Sequence, residues 1–199
     1  MEGSFCLYTG VRDRLRRGWY LTYLRPMNRK RNLFLIGPMG AGKTTVGKQL
    51  AAMLGMEFVD SDHEIQQRTG VDIPTIFEFE GEEGFRARER AIIDELTTQE
   101  GMVLATGGGA VLDAENRRVL AARGVVVYLH CTPQQQYART YRDKNRPLLQ
   151  TEDPLQKLKR LMEVREPLYR QLADIVIITE HRSAQAVARE IQEMLEQIG

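Results

Sequence analysis

Long apolar runs are missing from this sequence. Gly124-Val125-Val126-Val127-Tyr128-Leu129 is typical of those it has, and none approaches the roughly 20 residues that a membrane-crossing helix needs. Cysteine is scarce. Cys6 and Cys131 are the two present. They lie far apart in unlike surroundings, which argues against a disulfide scaffold and for free thiols in a reducing compartment. The three histidines, His63, His130 and His181, are widely separated, so no Cys/His cluster has the spacing of a protein-built zinc site. Low-complexity tracts and fixed-period repeats are also lacking.

There is no general excess of positive charge. The net charge is +1 over 199 residues. Its distribution is uneven: residues 1–31 hold eight basic and two acidic side chains, net +6, and the remaining 168 residues carry a net −5. An acidic body lacks the basic face of a nucleic-acid binder, so neither nucleic acid nor membrane is an expected partner, and any anion site must be local. Residues 1–26 show weak helical periodicity. They have neither the apolar stretch nor the small-residue cleavage site of a signal peptide. A basic membrane- or partner-binding arm and a transit peptide are the alternatives; the expectation is a disordered or dispensable extension ahead of one domain spanning 27–199. Without a targeting signal, a cytoplasmic monomer is expected.

The composition that is present, 42% apolar and 28% charged, is that of an ordinary globular domain large enough to bury a core. Short apolar strands at 32–36, 57–60, 102–105, 125–129 and 175–178 alternate with helical patterns near 44–54, 61–69, 74–79, 84–98, 114–122, 154–171 and 184–198, and Pro133 opens a further helix. The alternation predicts an α/β fold: a five-stranded parallel sheet in three α/β/α layers, with ligands at the carboxyl ends of the strands. Asp143 to Asp153 is polar, contains Pro147, and reads as a mobile loop.

One motif carries chemistry unaided. Gly37-Pro38-Met39-Gly40-Ala41-Gly42-Lys43-Thr44 fits G-x-x-x-x-G-K-[ST] between a strand and an amphipathic helix. Its glycines let successive N–H groups face phosphate oxygens, and the helix N-terminus favours negative charge. Gly40, Ala41, Gly42, Lys43, Thr44 and Thr45 are the candidate ATP contacts. Lys43 supplies a charge for the β- and γ-phosphates and Thr44 a hydroxyl for Mg2+. The base-reading Asn-Lys-x-Asp of GTPases is absent, since Lys144 precedes Asn145 rather than following it. Motor and transport ATPases are larger. Phosphoryl transfer to a small acceptor is the class left.

Beyond the P-loop, residues 32–199 resemble the shikimate kinase family. Five short signatures fall in that family's order: Asp60-Ser61-Asp62, Gly84-Phe85-Arg86, Gly107-Gly108-Gly109, Arg146-Pro147-Leu148-Leu149, and Arg165 ahead of Pro167-Leu168-Tyr169. The resemblance implies a nucleoside-monophosphate-kinase-like P-loop fold and transfer from MgATP to the 3-hydroxyl of shikimate. It makes Asp62 the proton acceptor and a substrate ligand, with Asp60 holding Mg2+ through water. Arg86, Gly108 and Arg165 become ligands of the acceptor's carboxylate, and Arg146 a lid cation meeting the transferred phosphoryl group.

Simpler readings stand beside these. Strand alternation would put Asp60 and Asp62 on one face, but the pair, or Ser61, could equally cap the next helix. On spacing alone, Arg86 pairs with Glu89 on a solvated helix face. Arg139, Arg142 and Arg182 compete for the adenine. Kinases of gluconate or of a nucleoside monophosphate, and a non-catalytic ATP-binding module, are the alternative functions.

Overall fold

The computed structural model describes residues 31–141, 149 and 151–198. Five strands form the sheet: β1 Asn32–Ile36, β2 Glu57–Asp60, β3 Met102–Ala105, β4 Gly124–His130 and β5 Ile175–Ile178. All are parallel, in the order β2-β3-β1-β4-β5. Among the described residues seven α-helices connect and cover them: α1 Lys43–Leu54, α2 Ser61–Thr69, α3 Ile73–Leu96, α4 Ala114–Arg123, α5 Pro133–Thr140, α6 Pro154–Leu172 and α7 Ala184–Ile198. The expected α/β/α layering is present.

Strand alternation divides the core in two. Leu33 and Leu35 of β1, with Val103, Val127 and Leu129, pack against Val46 and Leu50 of α1 and Val187 and Ile191 of α7. Phe34 and Ile36, with Leu104, Val126 and Tyr128, face Ile93 of α3, Leu120 of α4 and Tyr169 of α6. Central strands are therefore apolar on both faces, as parallel sheets require. Polar side chains set the helix starts: Asp72 caps α3, Asp113 caps α4, Thr132 forms a capping box on α5, and Asp153 caps α6.

The helical segments expected near 74–79 and 84–98 are both present as the two arms of α3, which meet at a kink at Gly81, whose φ of 68° and ψ of −176° lie outside the helical region. One expectation about local structure is corrected. Asp60 and Asp62 do not alternate along a strand, because the chain turns between them: Asp60 ends β2 and Asp62 is already the second residue of α2. The cap of α2 is Asp60, not Ser61 or Asp62; its Oδ1 accepts from the N–H groups of Asp62 (3.1 Å) and His63 (3.4 Å). The extension 1–26, Arg142, Arg146 and most of the expected lid lie outside the described residues.

Strand order brings three loops together. β1 sits between β3 and β4, and the chain steps to opposite sides of it. The loops leaving β1, β2 and β3 thus meet at one carboxyl edge, where α/β sheets bind ligands.

Candidate active site

The loop after β1 is shaped by glycine. Gly37 has φ 141°, and a Cβ there would stand 2.5 Å from the Leu129 carbonyl oxygen. Gly40 and Gly42 also have positive φ, 75° and 91°. Gly42 is the N-cap of α1 and brings no side-chain hydrogen bond, so first-turn N–H groups of α1 are left for an anion. Lys43 Nζ donates to the carbonyl oxygens of Gly37 (2.8 Å) and Pro38 (2.9 Å), holding its ammonium over the loop.

Thr44 and Asp60 meet although 16 residues apart: Thr44 Oγ1 donates to Asp60 Oδ2 at 2.7 Å. Asp60 thereby caps α2 with one oxygen and faces the nucleotide loop with the other. Ser61 Oγ, fully buried, accepts from the Gly107 N–H at 3.1 Å and ties α2 to the glycine run after β3. Between these elements lies a cavity of about 550 Å³, lined by Gly40, Gly42, Lys43, Thr44, Thr45, Asp60, Asp62, Gly108 and Arg139, among others.

Beside it, each glycine of Gly107-Gly108-Gly109 meets a different group. A Cβ on Gly107 would stand 2.3 Å from Glu89 Oε1 and 2.7 Å from Asp62 Oδ1; one on Gly109 would stand 2.2 Å from Arg86 Nη2. Larger residues would displace the two carboxylates or the guanidinium. Arg86 Nη1 pairs with Glu89 Oε2 at 2.7 Å and Nη2 with Glu82 Oε1 at 2.9 Å. From the other end of the chain, Arg165 on α6 is buried and donates from Nη1 to the Gly108 carbonyl oxygen at 3.3 Å. Tyr169, one helical turn later, donates its hydroxyl to the same oxygen.

Residues 86 and 165 are therefore brought to one three-residue loop. The Arg86–Glu89 pair read from spacing exists, but the solvated face does not: Glu89 is 0% exposed. Of the competing adenine-side arginines, Arg139 reaches the nucleotide loop, donating to Gly40 O at 2.9 Å. Arg182 instead pairs with Glu190 and donates to Ile178 O, and it is not among the residues lining the cavity.

A shikimate kinase family model matches residues 39–196. This chain belongs to the shikimate kinase family. A shikimate kinase from Methylococcus capsulatus is 60% identical over 173 residues, 87% of this chain and 97% of that protein. One from Actinobacillus pleuropneumoniae is 58% identical over 172 residues, 86% of this chain and 99% of its own. The solved shikimate kinase from Acinetobacter baumannii, in complex with shikimate, has a TM-score of 0.83 at 54% identity, covering 84% of this chain and 94% of that one. A gluconokinase from Sinorhizobium meliloti reaches a TM-score of 0.53 at 14% identity, a likeness of fold alone.

Glu89 is the member of this shikimate kinase site that spacing did not reveal as buried. Among the described residues its Oε1 has no hydrogen-bond partner. Burial pushes its pKa up from 4.5 to about 7, opposed by Arg86 and reinforced by Asp62. Burial also opposes the charge of Arg86, but Glu89 and Glu82 more than offset it and its pKa moves up. Folded Glu89 binds its proton more tightly than unfolded Glu89, so its contribution to stability is full below pH 4.5 and is lost as pH rises through about 7. Glu89→Gln is expected to flatten the fall of Tm between those limits. Thermal unfolding at stepped pH measures this, and parallel curves for parent and variant would refute it.

Among the described residues, no helix is long and apolar enough to cross a membrane, and no group of three or more His, Cys, Asp or Glu side chains is placed to hold a metal ion. A cation here would rest on Thr44, Asp60 and phosphate oxygens instead.

Proposed function

We propose that this chain transfers the γ-phosphoryl group of ATP to the 3-hydroxyl of shikimate, giving shikimate 3-phosphate for aromatic amino-acid biosynthesis. The observation that supports this reading is the convergence of Arg86 at Gly109 and Arg165 at Gly108 on one loop, beside a cavity lined by Gly108, Asp62 and Lys43. Two guanidinium forks suit a carboxylate, and the carboxylate of Asp62 suits an alcohol.

In this reading the acceptor's carboxylate is held by Arg86, Arg165 and the Gly108 backbone, and its 3-hydroxyl hydrogen-bonds to Asp62. Lys43 and the first-turn N–H groups of α1 hold the nucleotide phosphates. The hydroxyl oxygen forms a new bond to the γ-phosphorus in line with the breaking bond to ADP, and Asp62 takes the hydroxyl proton. Positioning and fixed charge supply most of the acceleration in this class. The donor set fits Mg2+: Thr44 Oγ1 and Asp60 Oδ2 are hard oxygens 2.7 Å apart at the cavity wall, and Thr44 would hold the ion directly and Asp60 through water. When bound, Mg2+ neutralises charge on the β- and γ-phosphates.

A coupled ADP-release assay tests the reading. Release should depend on shikimate and should not respond to gluconate or AMP. Release independent of acceptor would point to an ATPase or a binding module. Arg86→Ala is expected to raise the KM for shikimate by about 10–100-fold, the loss of a charge-assisted bidentate contact, with the KM for ATP within about threefold. Equal losses for both ligands would remove Arg86 from the acceptor site.

A further inference from the structure

The signature Arg165, Pro167-Leu168-Tyr169 contains a side chain that the phosphoryl-transfer mechanism leaves unused. Tyr169 lies four residues after Arg165, on the same face of α6. It is fully buried, and its ring stacks on Tyr128 of β4 with centroids 4.9 Å apart and planes at 20°. Its hydroxyl and the Arg165 guanidinium donate to one atom, the Gly108 carbonyl oxygen.

A carbonyl oxygen accepts two hydrogen bonds, and here both are drawn from α6. The Arg165 bond is the longer of the two, 3.3 Å, and is the one given up when the guanidinium swings its fork onto a carboxylate. Without a second donor, the half-buried carbonyl would lose its partner, and that loss would oppose ligand binding. With Tyr169 in place, the carbonyl stays satisfied and the loop keeps its shape while the arginine turns. We infer that Tyr169 is a positioning residue for the acceptor: it holds the Gly108 carbonyl so that Arg165 is released to the ligand's carboxylate. Burial moves the Tyr169 pKa up, opposed by Arg165, so the phenol keeps the proton it donates. The inference rests on the acceptor site assigned to Arg86, Arg165 and Gly108.

The test uses the full chain, Tyr169→Phe, Arg165→Ala and the double variant. Phenylalanine keeps the stacked ring and removes only the donor. The expected result is a KM for shikimate raised about tenfold in Tyr169→Phe, with the KM for ATP within twofold and shikimate giving a smaller rise in Tm than in the parent. In the Arg165→Ala background the added effect of Tyr169→Phe should shrink to less than threefold, since no arginine remains to be released. If Arg165→Ala raises the shikimate KM but Tyr169→Phe does not, the assignment of Tyr169 fails and the acceptor site stands. If Tyr169→Phe lowers Tm and raises both KM values alike, or acts equally in both backgrounds, Tyr169 is structural and the inference is overturned. If Arg165→Ala leaves the shikimate KM unchanged, the acceptor site itself falls, and the inference with it.

Discussion

Asp62→Asn is expected to lower kcat by about 10²–10⁴-fold, the range contributed by a positioned general base, while Tm stays level or rises. The substitution keeps shape and removes only charge and basicity. Asp62 Oδ1 and Glu89 Oε1 both crowd the place a Cβ would take at Gly107, and the negative charge of Asp62 is one reason Glu89 holds its proton. Removing that charge relieves a like-charge pair in a buried setting. Affinity for ADP should change little, because the phosphate cradle belongs to the β1–α1 loop. Turnover, thermal unfolding and ADP titration on one preparation separate these effects. A kcat within tenfold of the parent would mean that the hydroxyl proton leaves by another route.

Lys43→Ala should be as severe, about 10³-fold or more in kcat/KM for ATP, or roughly 4 kcal/mol of transition-state stabilisation. Its ammonium rests on two carbonyl oxygens of its own loop, those of Gly37 and Pro38, and in the proposed reading it holds the β- and γ-phosphates. Gly37 and Pro38 are buried, so losing the ammonium leaves two part-buried acceptors short of a donor, and a stability cost of about 1–3 kcal/mol should accompany the loss of activity. Activity measured at saturating shikimate, set beside Tm, checks both halves. A variant that keeps a tenth of parental turnover would remove Lys43 from the chemistry.

The two predictions draw on parts of the site that were unequally visible in the sequence. The β1–α1 loop was legible because its function is local: positive φ at Gly40 and Gly42 and an uncapped helix start are properties of eight consecutive residues. Strand limits were equally plain, since apolar runs bounded by turn residues leave few choices. Asp60 and Asp62 were rightly paired for an incorrect reason. Alternation cannot operate where the chain changes from strand to helix between them, and the cap at Asp60 is what turns Asp62 toward Gly107. The break in α3 at Gly81 was legible as the gap between two helical patterns, since glycine takes the positive φ there at little cost.

Other features had no local signal. Arg86 and Glu89 at i,i+3 look the same on a solvated face and in a buried one. Arg139 and Arg182 were equivalent candidates until packing set one on Gly40 and the other on Glu190.

Local chemistry alone decided that this chain cradles phosphate and builds a parallel α/β sheet, because backbone conformation and apolar periodicity are written in neighbouring residues. Tertiary structure decided which distant side chains share the triglycine loop, that Glu89 is buried enough to hold a proton near neutrality, and that Tyr169 and Arg165 meet at one carbonyl oxygen. Desolvation and long-range partners set proton affinity and ligand geometry, and both come into being only when α2, α3, α6 and the loop after β3 close on one another.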